Sequence, residues 1–128
     1  RVMIVGGPGS GKSTLARKMG DITGLPVVHI DHIHWQPGWI ERSSAEKDRL
    51  TRVAHANDEW IFEGGHFRTF GGRLARADTF IWLDVAVWRR LWRVVKRTMR
   101  DLGKNRPDLP EDCPERINLE TLKFLHFI

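Results

Sequence analysis

Four short apolar runs, at residues 2–5, 27–30, 60–62 and 80–83, are separated by polar, turn-rich sequence. Each is too short for a helix and rich in β-branched or aromatic residues, the pattern of strands covered on both faces. Between them the apolar positions recur at helical spacing, which predicts helices over 12–20, 44–57 and 88–100. Strands alternating with helices at about 30 residues per unit predict βαβ crossovers, hence an α/β fold whose parallel sheet carries helices on both faces. Residues 101–114, with Gly103, Pro107, Pro110 and Pro114, read as a loop. No internal repeat or low-complexity segment interrupts the pattern.

The helix over 88–100 is the most polarised. At 100° per residue Trp88, Leu91, Trp92, Val95 and Met99 fall within a stripe of about 100°, and Arg89, Arg90, Arg93, Lys96, Arg97 and Arg100 within about 120° on the opposite side. A basic face of this kind is a solvated surface, a surface for anionic lipid or a nucleic-acid backbone, or a wall over a phosphate site.

Composition narrows these choices. A length of 128 residues predicts one domain, 1–128, and 41% hydrophobic with 29% charged residues is globular. No stretch approaches the roughly 20 apolar residues of a membrane span, so no membrane partner is expected. Fifteen of the 21 basic residues are Arg, and the net charge is +5. Planar guanidinium forks match phosphate oxygens in pairs. The excess is local. Residues 89–106 hold eight basic residues against Asp101 alone, a net +7, which leaves −2 for the remainder. A single Cys113 allows no internal disulfide and no secretory leader opens the sequence, so a reducing cytoplasm is the expected location. The chain opens on Arg1 rather than Met and closes on Phe124, Leu125, Phe127 and Ile128 without a polar tail, so a longer parent chain is expected.

The chemistry is written most clearly in Gly6-Gly7-Pro8-Gly9-Ser10-Gly11-Lys12-Ser13-Thr14, a Walker A pattern with an apolar strand before it and a helix-forming run after it. Glycines let successive N–H groups turn inward to hold phosphate at a helix N-terminus. Lys12 then neutralises the β- and γ-phosphates of ATP, and the Ser13 hydroxyl ligates Mg²⁺. Three acids mark other strand ends: Asp31, Glu63 and Asp84. Asp31 and Glu63 are candidates for holding Mg²⁺, partly through water, or for taking a proton; helix capping is the plainer reading. Asp84 precedes the basic helix, where capping is its expected role.

The Gly-rich segment, Glu63-Gly64, and Leu83-Asp84-Val85 followed by Arg93-Val94-Val95-Lys96-Arg97 resemble the adenylate kinase family of P-loop phosphotransferases. The related DNA topology modulation protein FlaR family is more similar, through HIDHIHWQPGW (29–39), WIFEGG (60–65), RLARADTFIWLD (73–84) and RPDLPEDCPER (106–116). The resemblance covers essentially the whole chain. It implies a three-layer P-loop sandwich of the nucleoside-monophosphate-kinase kind with an Arg-rich lid at about 88–114. It also implies a fifth parallel strand; the pattern shows four, so the C-terminal strand is expected to be lacking from this chain. By the same resemblance Arg93 falls at a nucleotide-contacting arginine of the lid base and Arg97 at a phosphate-contacting one. Glu63 stands where the family usually has Asp holding the magnesium shell. The acceptor motif DGFPR is replaced by Glu63-Gly64-Gly65-His66-Phe67-Arg68, so AMP specificity is not carried over.

The acceptor side is read from Trp35-Gln36-Pro37-Gly38-Trp39, whose indoles can stack on a planar or sugar substrate, with Arg42, Arg49 or Arg68 for an anionic group and Gly65 and His66 beside them. A hydrophobic plug under a loop is the alternative. His29, His32 and His34 lack the Cys or further His that would complete a zinc set. The expected function is transfer of the γ-phosphoryl group of Mg-ATP to a small acceptor. The alternatives are a nucleotide-dependent regulator that binds DNA, as the FlaR name implies, or a nucleotide binder without turnover.

Overall fold

The computed structural model describes residues 1–128. Strands β1 (Val2–Gly6), β2 (Val27–His29), β5 (Ile61–Glu63) and β6 (Thr79–Leu83) form one parallel sheet in the order β2-β5-β1-β6. Helices α1 (Lys12–Thr23), α2 (Ile30–His34), α3 (Ser44–His55), α4 (Phe67–Arg76), α5 (Val87–Arg100) and α6 (Leu119–Phe127) connect or follow them. A small antiparallel hairpin, β3 (Trp35–Gln36) and β4 (Ile40–Glu41), stands apart. The four parallel strands and three helices anticipated from periodicity are present. The pattern did not reveal α2, the hairpin, α4 or α6; α4 carries Gly71-Gly72 in its middle, which masks a helical run.

Alternation along β1 divides the core into two layers. Ile4 and Ile61 face Ala16 of α1, with Leu15 and Met19 packed around them. Met3, Trp60 and Phe62 face the other way, toward Ile30, Ile33, Ala54 and Phe70 of α2, α3 and α4. Helices thus cover both faces of the sheet. No helix is long and apolar enough to cross a membrane.

Angular counting leaves open which side of α5 is covered, and the expectation that Asp84 caps this helix is corrected. Its apolar stripe faces outward: Trp88, Trp92 and Met99 are 65%, 63% and 69% exposed, while Val94 and Thr98 are buried. The inward face lies on polar backbone, the Gly-rich loop and the 105–115 segment. It is therefore built from Arg90, Val94, Arg97 and Thr98 rather than from the indoles. Asp84 does not cap the helix; the N-cap is Ala86, which offers no side-chain acceptor.

Behind the sheet edge, Arg73 of α4 is fully buried. It donates from Nη1 to the Gly64 carbonyl (2.9 Å) and from Nη2 to that of His66 (3.2 Å), and stacks 4.9 Å from the Phe62 ring centre. Burial pulls its pKa down to about 10. Arg73→Ala leaves the Gly64 carbonyl without a donor, the His66 carbonyl keeping those of Thr69, and opens a void; it is expected to cost about 3 kcal/mol. Arg73→Lys keeps the charge but loses the fork and should recover less than half. Urea-unfolding midpoints at constant slope measure both.

Candidate functional site

The parallel register brings the chemistry to one edge. Glu63 is level with Ile4 of β1 on one side and His29 of β2 on the other, so the loop leaving β1 rises beside the Glu63 carboxylate. The loop can curl there because Gly9 takes φ 77°, and a Cβ at that position would stand 2.5 Å from the Arg90 carbonyl oxygen of α5. Helix α1 then starts at Lys12 with Gly11 as an N-cap that provides no side-chain acceptor. The backbone N–H groups of Gly9, Gly11, Lys12, Ser13 and Thr14 accordingly have no acceptor within the protein. All five residues line a cavity of about 370 Å³.

The side chains at this edge form a connected set. Lys12 donates from Nζ to the Gly7 carbonyl (3.2 Å). Burial lowers its pKa, and the charges of Glu63 and then Asp31 pull it part of the way back. Ser13 Oγ donates to Glu63 Oε1 at 3.0 Å, and His29 Nδ1 meets the same oxygen at 2.7 Å. Glu63 is 2% exposed. Asp31, in the first turn of α2, lines the cavity beside it; burial raises its pKa first, and the Glu63 charge raises it further.

A cationic wall faces the loop. Arg93 Nη1 reaches the Ser10 carbonyl at 3.5 Å. Burial lowers the pKa of Arg97, and the charge of Arg106 lowers it further. Arg17 and Arg106 each stand 3.7 Å from Asp108, too far for a hydrogen bond. Arg100 pairs bidentately with Asp101 at 2.8 Å. With Lys12, six cationic side chains line the cavity against Asp31, Glu63, Asp101 and Asp108. Arg90 packs its guanidinium against Gly7. The basic segment therefore turns several members inward, the arrangement of a wall over the loop rather than of a wholly solvated face.

Gly9, Gly11, Lys12, Ser13, Thr14, Pro8, Asp31, Glu63, Arg93 and Arg97 are brought together in this cavity. Gly6 and Gly7 lead into it, and Ser10 is buried below. The residues expected on the acceptor side are not among its lining. Trp35 and Trp39 meet edge to face at 5.3 Å, and Trp39 Nε1 donates to the Pro114 carbonyl at 3.1 Å. Arg42 Nη1 closes the end of α2 on the carbonyls of Trp35 (3.1 Å), His32 and Ile33 (both 3.4 Å). His66 and Arg68 both engage Asp48, each at 2.8 Å, and Gly65 is exposed. Sequence reasoning missed Arg17, Arg106, Asp108 and His29. Arg17 carried a signal, since it stands one helical turn beyond Ser13 on the same face.

The donor set fits magnesium. The Ser13 hydroxyl gives its hydrogen to Glu63, which leaves its lone pairs free, and Asp31 and Glu63 add carboxylate oxygens at the same cavity. No cluster of three or more His, Cys, Asp or Glu groups forms an all-protein cage; magnesium typically keeps several waters and binds through one or two carboxylates and phosphate oxygens. Neither a protein-family model nor a curated protein matches the chain.

Asp31 has a folded-state pKa above its unfolded one, so the folded protein holds a proton that the unfolded chain releases. Its effect on stability is absent below the unfolded value and grows as pH rises through the folded one, always against folding. Asp31→Asn is expected to raise the denaturation midpoint at neutral pH and to leave it unchanged in acid. Denaturant midpoints across that range give the comparison.

Proposed function

We propose that the chain is a P-loop phosphotransferase of the adenylate-kinase-related class, which binds Mg-ATP and passes its γ-phosphoryl group to a small acceptor. The observation that carries this reading is the set of backbone N–H groups without protein acceptors at Gly9, Gly11, Lys12, Ser13 and Thr14, curled around Lys12 at a helix N-terminus. Such a nest has the geometry and the sign of charge for a β-phosphate. The resemblance to the adenylate kinase and FlaR families supports it from a separate direction.

In this reading the loop fixes the phosphate chain and Lys12 lies along its β- and γ-oxygens. Ser13, Glu63 and Asp31 would hold magnesium, which when bound supplies charge neutralisation at the β- and γ-oxygens. Arg93 and Arg97 face the loop from α5 and stabilise negative charge on the phosphoryl group in flight. The bond from the γ-phosphorus to the bridging oxygen breaks, ADP leaves with that oxygen, and the acceptor oxygen forms the new bond. Where the acceptor is a hydroxyl, Asp31 takes its proton, a role suited to a carboxylate of raised pKa. Positioning and electrostatics carry the rate.

ADP release from Mg-ATP against a panel of nucleoside monophosphates, sugars and small hydroxy acids tests the proposal. Acceptor-dependent release is expected. Lys12→Ala should lower kcat/KM by about 10²–10³-fold, and Arg97→Ala by a similar factor carried mainly in kcat. Full nucleotide affinity and turnover in Lys12→Ala would overturn the phosphate-loop reading.

A further inference from the structure

The Glu63 carboxylate is engaged unevenly. Both protein donors, Ser13 Oγ at 3.0 Å and His29 Nδ1 at 2.7 Å, converge on Oε1, and no protein group donates to Oε2. Glu63 is nonetheless almost wholly buried and lines the cavity. A carboxylate so placed has one oxygen locked and one directed by default to whatever occupies the cavity. Ser13 alone cannot lock it, because a single donor leaves the group free to turn about that bond. His29 supplies the second anchor. It comes from the end of the neighbouring strand at the level of Glu63, so its backbone is held by the sheet rather than by a loop. A carboxylate only accepts, so the hydrogen lies on His29 Nδ1.

We infer that His29 is a positioning residue for the magnesium-nucleotide complex: by anchoring Glu63 Oε1 it keeps Oε2 turned toward the metal's shell. This rests on the reading of Glu63 as part of that shell. Groups that orient a metal's ligands commonly matter about 10–100-fold for affinity. The histidine has no place in the phosphate loop or the cationic wall, so its effect is confined to the metal-dependent part of nucleotide binding. A purely structural histidine would weaken the fold and all nucleotide binding alike.

The test compares ADP binding by calorimetry, with magnesium and with EDTA, for the wild type, His29→Phe, His29→Ala, His29→Asn and Glu63→Gln. The wild type is expected to bind ADP more tightly with magnesium. His29→Phe should lose about tenfold of that gain and change less than about twofold in EDTA. His29→Asn, which returns an N–H donor near the same place, should recover most of it. His29→Ala removes the donor without adding bulk and decides the matter if the phenylalanine variant does not fold. An unchanged magnesium gain in the folded donorless variant, with that gain lost in Glu63→Gln, overturns the role of His29 alone. Equal losses with and without magnesium also overturn it, as does a failure of His29→Asn to recover more than the donorless variant. An unchanged gain in Glu63→Gln overturns the reading of Glu63, and absence of ADP binding by the wild type overturns the functional proposal; either takes the inference with it.

Discussion

A carboxylate held at 2% exposure needs hydrogen bonds, because desolvation without them costs several kcal/mol. Glu63 obtains its donors from two different elements, the first turn of α1 and the end of β2. That double requirement constrains much of the architecture. Strand β5 must lie between β1 and β2, in a register that sets Glu63 level with His29 and Ile4. A slip of one residue in β5 would turn Glu63 to the other face and put Phe62 in its place. The Gly-rich loop must also bring Ser13 back over the sheet edge. The tight turn after Glu63 follows: Gly64 has φ 108°, and a Cβ there would collide with Ile30 Cγ2. Arg73 holds the carbonyls of that same turn from below.

The parts of the site legible in sequence are those set by local pattern. The apolar run, the glycine spacing and the Lys-Ser pair are contiguous, and an acid that ends an apolar strand needs only strand polarity to place it. The face of α5 was not legible. Angular counting separates the indoles from the arginines but says nothing about which side is covered. Here the covering surface is the backbone of the Gly-rich loop and the 105–115 segment, and backbone carbonyls and carboxylates accept from guanidinium groups as indole rings cannot. Thr98 completes that face by donating to Glu115 at 2.8 Å.

The tryptophan hairpin was hidden for a different reason. Its partners lie some 75 residues away: Gly38 N–H donates to the Asp112 carbonyl at 2.9 Å, Trp39 N–H to Cys113 Sγ at 3.4 Å, and the Trp39 indole to Pro114. His32 adds a contact from its Nε2 to the Pro107 carbonyl at 3.1 Å. Trp39 and Asp112, on the two facing segments, both have positive φ, at 61° and 54°. Non-glycine residues hold such angles where surrounding contacts over-determine them. The hairpin thus docks onto the segment that carries Arg106 and Asp108 into the cavity, and a stacking role read from two indoles around a Pro-Gly turn competes with this docking.

The charge distribution of the cavity supports the phosphate-binding reading proposed for it. Arg93, Arg97, Arg100 and Arg106 belong to the short stretch that holds a net +7, and all four line one cavity with Lys12 and Arg17. Like charges brought together oppose folding, and at Arg97, the half-buried member, burial and then the Arg106 charge depress the pKa. The carboxylates present offset this in part: Asp108 stands 3.7 Å from Arg17 and from Arg106, Glu115 stands 3.5 Å from Arg106, and Asp101 pairs with Arg100. A surface face of arginines would relieve the repulsion simply by turning to water. That these instead converge on a glycine loop with unpaired N–H groups concentrates positive charge and free donors in one cavity, in support of the same reading; an anion bound there would stabilise the fold by mass action.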